Sequence, residues 1–157
     1  MLITQGNLAS TLYKLGRLED ALRIERDVYS GALKLCGDSH VSTLAAANNY
    51  ASSLIRLKRF EEAKSLLRKS IPVARRALGA SHRTTLKLRW IYGEALFCDP
   101  SATLDDLREA VKTLEEIERT ARRVLGGAHP TVVKMERALR DARAALRARE
   151  TPPPGSA

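Results

Sequence analysis

The chain has 157 residues, of which 44% are apolar and only 4% aromatic, so one domain with a core of small and aliphatic side chains is expected. No stretch is long and apolar enough to span a membrane, no signal-peptide pattern is present, and Cys36 and Cys98 lack the spacing of a disulfide framework or a zinc site. The sequence therefore predicts a cytoplasmic protein of a reducing compartment, outside the membrane, with a formal net charge of +9.

Paired helices are predicted along most of the chain. Leu8, Leu12 and Leu15 follow helical spacing and form one apolar stripe on the first helix. Gly16 ends that helix and Gly37 ends the next one, because glycine tolerates the left-handed backbone of a helix C-terminus. The predicted helices cover residues 2–15, 18–36, 40–57, 60–78, 82–97, 104–125 and 130–149.

Local signals predict how several of these helices begin. Ser39 and Ser81 are placed to cap the helices that follow them. Thr103 with Asp106 three residues later resembles a capping box. Pro130 favours the first turn of the last helix, since its missing N–H has no partner there in any case.

Two irregularities interrupt the regular plan. Pro72 falls inside the predicted helix 60–78, where its ring removes a backbone donor, so a kink or break is expected. Asp99-Pro100 opens a turn between the helices 82–97 and 104–125 that is five residues longer than its counterpart earlier in the chain.

The last predicted helix differs from its counterparts. It carries Arg140 and Arg143 where the earlier helices hold small and apolar residues. Because charge at two inner positions opposes stacking of a further helix pair, this helix is expected to be a solvating C-terminal cap. Met1 falls where the first helix should already have begun, so either the chain is a fragment of a longer array, which is favoured, or the first helix frays. Residues 151–157 are expected to be disordered.

A repeat of 42 residues relates these helix pairs. Residues 7–44 laid over 49–86 are identical at fifteen of 38 positions. A third copy follows with five extra residues, since Gly126 and His129 each lie 47 after Gly79 and His82. A fixed period in this range predicts a solenoid of stacked helix pairs.

The repeat resembles a known family. The segment A-x-x-L-x-x-x-(G/K)-R-(L/F)-E-(D/E)-A, present in the first two copies, resembles the tetratricopeptide repeat. The 42-residue length, the long second helix and the L-G-x-x-H loop are similar to the subtype found in kinesin light chains, and LGGAHP at 125–130 fits that loop best. The resemblance extends from residue 2 to about 139.

The resemblance implies a fold and a general function. The fold is an all-α, right-handed superhelical solenoid in which the first helix of each pair lines a concave, peptide-binding groove. The implied function is a noncatalytic protein–protein interaction module, an adaptor or scaffold similar to kinesin light chains. The domain is expected at 1–150, with repeats at about 2–38, 40–80 and 82–127 and a capping helix at 130–149.

Aligning the family's groove positions gives a candidate site for an acidic or acidic–aromatic peptide. Asparagine side chains both donate to and accept from a peptide backbone, cations attract carboxylates, and the single tryptophan offers an anchor surface. The alternatives are that Asn49 caps or bridges helices and that Trp90 packs in the core. The two basic and asparagine positions of the family's carboxylate clamp fall on Gly6 and Ser10, so capture of a peptide C-terminus is not expected. The predicted groove residues are Ser10, Tyr13, Lys14, Asn48, Asn49, Ser52, Arg56, Lys87 and Trp90.

A basic run offers a second candidate site. Residues 56–89 hold eleven basic and two acidic side chains, an excess equal to the whole net charge, whereas residues 99–118 hold seven acids and two bases. Lys64, Arg68 and Arg75 recur at helical spacing and predict a basic patch for a polyanion or RNA. The alternative is a solvated outer face, and aromatic residues for base stacking are scarce nearby.

No metal site, cofactor or enzyme activity is predicted. His40, His82 and His129 occupy the same loop in successive repeats, so stacking holds them apart and a structural role at helix starts is favoured. No Ser–His–Asp set, Cys–His pair or phosphate-binding glycine loop appears.

Overall fold

Six complete helices follow a short helical segment in the computed structural model, which describes residues 8, 9 and 11–151. Residues 8, 9 and 11–14 are helical. Every later helix begins and ends within one residue of its predicted bounds. The helices are α1 (Leu18–Cys36), α2 (Val41–Arg56), α3 (Phe60–Leu78), α4 (Arg83–Cys98), α5 (Leu104–Leu125) and α6 (Pro130–Glu150).

The helices stack as antiparallel pairs in two layers. Each helix packs on the next one in the chain, and α4 also packs on both α2 and α6. Among the six described helices, α1, α3 and α5 make no such contact with one another. The alternate helices α2, α4 and α6 therefore form a closely packed inner layer, and α1, α3 and α5 lie outside it. The all-α repeat fold is confirmed.

Histidine side chains, not the serines before them, cap the inner helices. The Nδ1 atoms of His40, His82 and His129 accept hydrogen bonds from the backbone N–H two residues later, at 3.1, 3.1 and 3.2 Å. The predicted caps at Ser39 and Ser81 were therefore one residue early. The structural role predicted for the three histidines is confirmed.

The helix ends follow local chemistry elsewhere too. Gly37, Gly79 and Gly126 follow α1, α3 and α5 with φ angles of 82°, 94° and 85°, which glycine adopts without strain. The capping box before α5 is confirmed, because Thr103 Oγ1 accepts from the N–H of Asp106 at 3.1 Å while the Asp106 carboxylate accepts from the N–H of Thr103 at 2.8 Å.

The break expected at Pro72 is absent. Helix α3 runs continuously from Phe60 to Leu78 with Pro72 inside it. The proline is exposed, so its ring does not interrupt the packing of α3 on its neighbours.

Small residues let the helix pairs approach closely. Ala9 and Ala51 are fully buried, and the third repeat has Gly93 at the same position. A Cβ atom on Gly93 would lie 2.9 Å from Leu114 Cγ and Cδ2, so the leucine of α5 occupies the space that a side chain would need. Close contact between α4 and α5 therefore depends on this glycine.

Helix α6 buries one face and leaves another in solvent. Val132, Met135 and Ala142 pack into a cluster with Leu114 and Ile117 of α5. Arg140 is exposed, and Arg143 pairs with Glu115 of α5 at 2.7 Å. The two arginines that break the repeat pattern thus stay at the surface. Within the described residues, no helix is long and apolar enough to cross a membrane.

Candidate functional site

The first two inner helical segments meet at Tyr13 and Arg56. The Arg56 guanidinium carbon lies 4.8 Å from the centre of the Tyr13 ring, a cation–π contact. The Tyr13 hydroxyl is buried without a hydrogen-bond partner among the described residues. Burial raises the pKa of Tyr13 to about 12, with the Glu25 carboxylate adding to the rise and Arg56 opposing it. Two predicted groove residues are therefore brought together, while the predicted Ser10 lies outside the described residues.

Asn48 and Asn49 face different surroundings on α2. The Asn48 side-chain oxygen is buried and unpartnered within the described structure. Asn49 is exposed, and its side chain bonds to no described residue, although its backbone carbonyl accepts from Ser53 Oγ at 3.1 Å. Ser52 likewise donates its hydroxyl to the Asn48 carbonyl at 3.0 Å. Asn49 thus neither caps nor bridges described helices, and its amide stays free for a ligand.

Trp90 is shared between the core and the inner surface. Its ring packs on the buried cluster that includes Leu86 and Leu114, as the core alternative predicted. Its indole N–H is buried beside the Glu94 carboxyl but makes no hydrogen bond of normal geometry with it. Burial raises the pKa of Glu94, against the opposing effects of Trp90 and Arg56. A series of neighbouring interactions therefore runs along the inner layer. Trp90 and Arg56 both act on Glu94, and Arg56 also contacts the Tyr13 ring.

The two predicted lysines differ in environment. Lys14 is exposed, near the beginning of the described chain. Lys87 is half-buried on α4, and its pKa is lowered first by burial and then by the neighbouring charges of Arg83 and Lys134. Two cations therefore lie near one predicted groove residue: Arg83, from the basic run of the sequence, and Lys134, which the stacking of α6 brings close.

The three residues of the predicted basic patch do not form one free surface. Lys64 is only 3% exposed, and its ammonium group pairs with the Asp99 carboxylate at 2.9 Å and with Glu61. Arg68 donates to the Tyr92 hydroxyl at 3.3 Å, and Tyr92 donates in turn to Glu109 at 3.0 Å. Helical spacing alone placed these cations on one face, but that face packs towards α4 and the α4–α5 turn.

Arg68 is exposed as well, but Arg75 is the member of the patch that has no partner among the described residues. It is exposed in the last turn of α3 beside Arg76, and neither has an ion pair with a described residue. The predicted patch therefore reduces to the C-terminal end of one outer helix.

Glu25 is a buried residue that the sequence reasoning missed. It lies on α1, is 7% exposed, and has no hydrogen bond or ion pair among the described residues. Burial raises its pKa to about 7. The repeat alignment could have predicted this burial, because the equivalent positions 42 and 89 residues later are the core residues Leu67 and Leu114.

The described residues hold no cluster of three or more histidine, cysteine or acidic side chains that suits a metal ion. Cys36 and Cys98 are free and exposed. The chemistry of the inner layer is therefore that of hydrogen bonding, cation–π contact and charge.

Comparisons with known proteins agree with this fold. The family model described as tetratricopeptide repeat matches residues 1–76. Two solved structures of a putative kinesin light chain with nearly identical TPR-like repeats from Podosopora anserina, one of them a variant with a single substitution, superpose on this chain with a TM-score of 0.82 at 22% identity. In both, the match covers 92% of this chain and 66% of the other. No curated protein matches the sequence.

The resemblance predicted from the repeat is thereby confirmed. The first 76 residues match the repeat family itself, and the fold over nearly the whole chain is that of kinesin-light-chain-like TPR repeats.

Proposed function

We propose that this chain, a tetratricopeptide-repeat protein, is a noncatalytic interaction module that holds an acidic or acidic–aromatic peptide segment of a partner protein against its inner helices. Tetratricopeptide repeats are generally modules that bind other proteins. The particular peptide chemistry is inferred from the side chains that the inner layer exposes.

The observation that carries the proposal is the unengaged amide of Asn49 on the same inner layer as two cations without ion pairs. Asn49, Arg56 and Lys14 are all exposed on the inner helical segments, and none has an ion pair or side-chain hydrogen bond to a described residue. An amide satisfies both the donor and the acceptor of a peptide backbone, and an arginine adds charge-assisted hydrogen bonds to a carboxylate. A peptide with acidic residues fits this combination.

Aromatic character in the partner is supported by the neighbouring ring surfaces. Tyr13 under Arg56 and the partly exposed Trp90 offer faces on which an aromatic side chain packs favourably. The buried, unpartnered polar atoms of Tyr13 and Asn48 lie in the same layer. These polar atoms gain hydrogen bonds if a bound segment displaces the side chains that cover them. A partner segment with an exposed polar backbone can supply those bonds.

Binding of RNA or another polyanion through the second repeat is the alternative. It loses support because two of its three predicted cations, Lys64 and Arg68, are engaged within the fold, while Arg75 has no partner among the described residues. Charge without base contacts gives affinity that falls steeply with salt.

A titration at two salt concentrations tests the proposal. The probes are a labelled acidic–aromatic peptide library and a generic single-stranded RNA, each at roughly 50 and 200 mM salt. The variants are Asn49→Ala and Arg56→Ala, with Arg75→Ala as the matched control because it is an exposed arginine on an outer helix. We expect sequence-selective peptide binding that survives the higher salt and weakens in the two inner variants alone. RNA binding as tight as any peptide, lost at high salt and weakened by Arg75→Ala, would overturn the proposal.

A further inference from the structure

A pocket opens where α4 and α6 begin and α5 ends. Its volume is about 120 Å³, against the roughly 10–15 Å³ that one water molecule requires. The side chains of Leu86, Val124, Leu125 and Met135 supply its apolar lining. Val124 is 53% exposed, so the apolar surface is open to solvent. The pocket can hold one apolar side chain of a ligand.

Cations border this pocket without partners. Arg83 and Lys87 line it, no acidic residue does, and Lys134 of α6 lies close enough to Lys87 to affect its charge. None of the three has an ion pair or side-chain hydrogen bond to a described residue. Burial and these two neighbours lower the pKa of Lys87, which shows that the cluster is unfavourable as it stands. An anion placed among the three relieves that repulsion.

The repeat fold does not require these charges. The residues 42 positions before Arg83 and Lys87 are Val41 and Ala45, whereas Leu86 has Leu44 at its equivalent position. The packing residue is therefore the same in both repeats, whereas the first repeat has no cation at either of the other two positions. A structural role in helix stacking does not account for the two cations.

We propose that this pocket binds an acidic residue of a partner peptide together with an apolar residue next to it. The carboxylate lies among Arg83, Lys87 and Lys134, and the apolar side chain covers Val124 and Leu86. The inference rests on the proposed function, since the occupant is a peptide, and it adds the place where the acid binds. A peptide fits better than a nucleic acid because no aromatic residue lines the pocket to stack on a base.

The test begins with selection of a random dodecapeptide display library on the immobilised wild-type chain. We expect enriched sequences to contain an aspartate or glutamate beside an aliphatic or aromatic residue. One enriched peptide and its amide counterpart, Asp→Asn or Glu→Gln, are then titrated by following the fluorescence of Trp90. That residue is the only tryptophan, and it lies one helical turn from Lys87 on α4.

The variant is Arg83→Ala/Lys134→Ala, and the matched control is Arg75→Ala/Arg76→Ala, since all four side chains are exposed. Loss of the charge-assisted contacts should weaken binding of the acidic peptide about tenfold in the variant. Binding to the control should change less than about twofold, since exposed charges away from the ligand contribute little. The amide peptide should bind the variant and the wild type equally. Far-UV circular dichroism checks that the variants fold.

The contrary outcomes separate this inference from the proposed function. If acidic peptides bind and Asn49→Ala weakens them while Arg83→Ala/Lys134→Ala does not, the groove stands and the pocket inference is wrong. If no peptide is enriched at all, the proposed function itself is wrong, and the inference falls with it. If polyuridylate binds more tightly than any peptide and the same variant abolishes it, the pocket is a polyanion site.

Discussion

Glu25 in the first repeat and Lys64 in the second are both buried charged side chains, and their environments differ. Glu25 of α1 stands where later repeats have Leu67 and Leu114. Lys64 of α3 stands where the first and third repeats have Leu22 and Val111. Both charges thus replace apolar residues at core positions, but only Lys64 is paired, with Asp99 and Glu61.

The difference shows that a partner, rather than burial, decides the charge state. Burial acts to lower the pKa of Lys64, but hydrogen bonds with Glu61 and Asp99 raise it above its usual value, so the ammonium stays charged. Burial raises the pKa of Asp99, yet Ser101 and Lys64 lower it to a net value below normal. Glu25 has no such partner, and burial alone raises its pKa to about 7.

The extra turn between α4 and α5 supplies the partner of Lys64. Asp99 is held there by its hydrogen bonds from the N–H and hydroxyl of Ser101, at 2.9 and 2.7 Å. The five additional residues of the third repeat therefore fix the carboxylate that the buried lysine needs.

Placing an unpaired carboxylate in the middle of the stack should cause the largest loss of stability. Leu67→Glu puts the first repeat's residue into a fully buried cluster with Leu44, Leu88 and Leu96. We expect a loss of about 4 kcal/mol or more in the free energy of unfolding, or no folded protein. Urea denaturation near neutral pH measures it, with Leu67→Met as a control costing less than about 1.5 kcal/mol. A loss below about 1 kcal/mol would show that the interior accepts a lone carboxylate anywhere along the stack.

Removing Asp99, the buried partner of Lys64, should leave a poorly paired buried charge in the second repeat, as Glu25 is in the first. Asp99→Ala leaves a buried ammonium with only the exposed Glu61, and we expect a loss of about 3 kcal/mol. The double variant Lys64→Met/Asp99→Leu removes both charges and should recover most of that loss. Chemical denaturation of the three proteins provides the measurement. Equal stability of the wild type and Asp99→Ala would contradict a structural role for the pair.

Replacing Glu25 with an uncharged residue should stabilise the folded chain above neutral pH. The pKa of Glu25 is about 7 in the folded chain and near 4.5 in the unfolded chain, so the folded state binds more protons between these values. The stabilisation that the protonated Glu25 carboxyl contributes is therefore fully present below about pH 4.5 and is lost as the pH rises through 7. At pH 8, Glu25→Leu should be more stable than the wild type by about 2–3 kcal/mol.

The readout is the free energy of unfolding between pH 5 and pH 8. Glu25→Gln serves as the control, because it removes the titration without adding apolar volume. Both variants should lose the part of the pH dependence that Glu25 supplies. If the wild type and Glu25→Gln keep parallel profiles, the buried carboxyl does not titrate in this range.

The smallest expected effect comes from Gly93, which leaves room for Leu114. That leucine is the third-repeat equivalent of Glu25. Gly93→Ala places a Cβ atom 2.9 Å from Leu114, so the leucine side chain or the two helices must shift, at a cost of about 1–2 kcal/mol. Gly31→Ala is the matched control, since nothing lies within 4 Å of its added Cβ in α1. That control should gain about 0.4–1 kcal/mol, as helix propensity dictates. A shift of the thermal midpoint in the same direction for both would contradict the tight contact at Gly93.

The candidate site was predictable only in part. Positions such as Tyr13, Arg56 and Trp90 lie on the inner helical segments as the repeat alignment required. The alignment did not indicate that the side-chain oxygen of Asn48 is buried while Asn49 is exposed, since one residue along a helix turns a side chain by more than a quarter of a turn. It also treated Lys64 as a surface cation, because helical spacing shows which residues share a face but not what that face contacts.

The sequence by itself determined the helices, their pairing and their repetition. These depend on local signals, such as Gly37 and Gly79 after a helix and the 42-residue spacing of apolar residues, and local signals act over a few residues wherever the chain lies. Tertiary structure alone decided which charges are paired and which are free. Asp99 reaches Lys64 across 35 positions of chain, and Lys134 comes close to Lys87 only because α4 and α6 stack. Charge–charge energies depend on distance and burial, and stacking sets both.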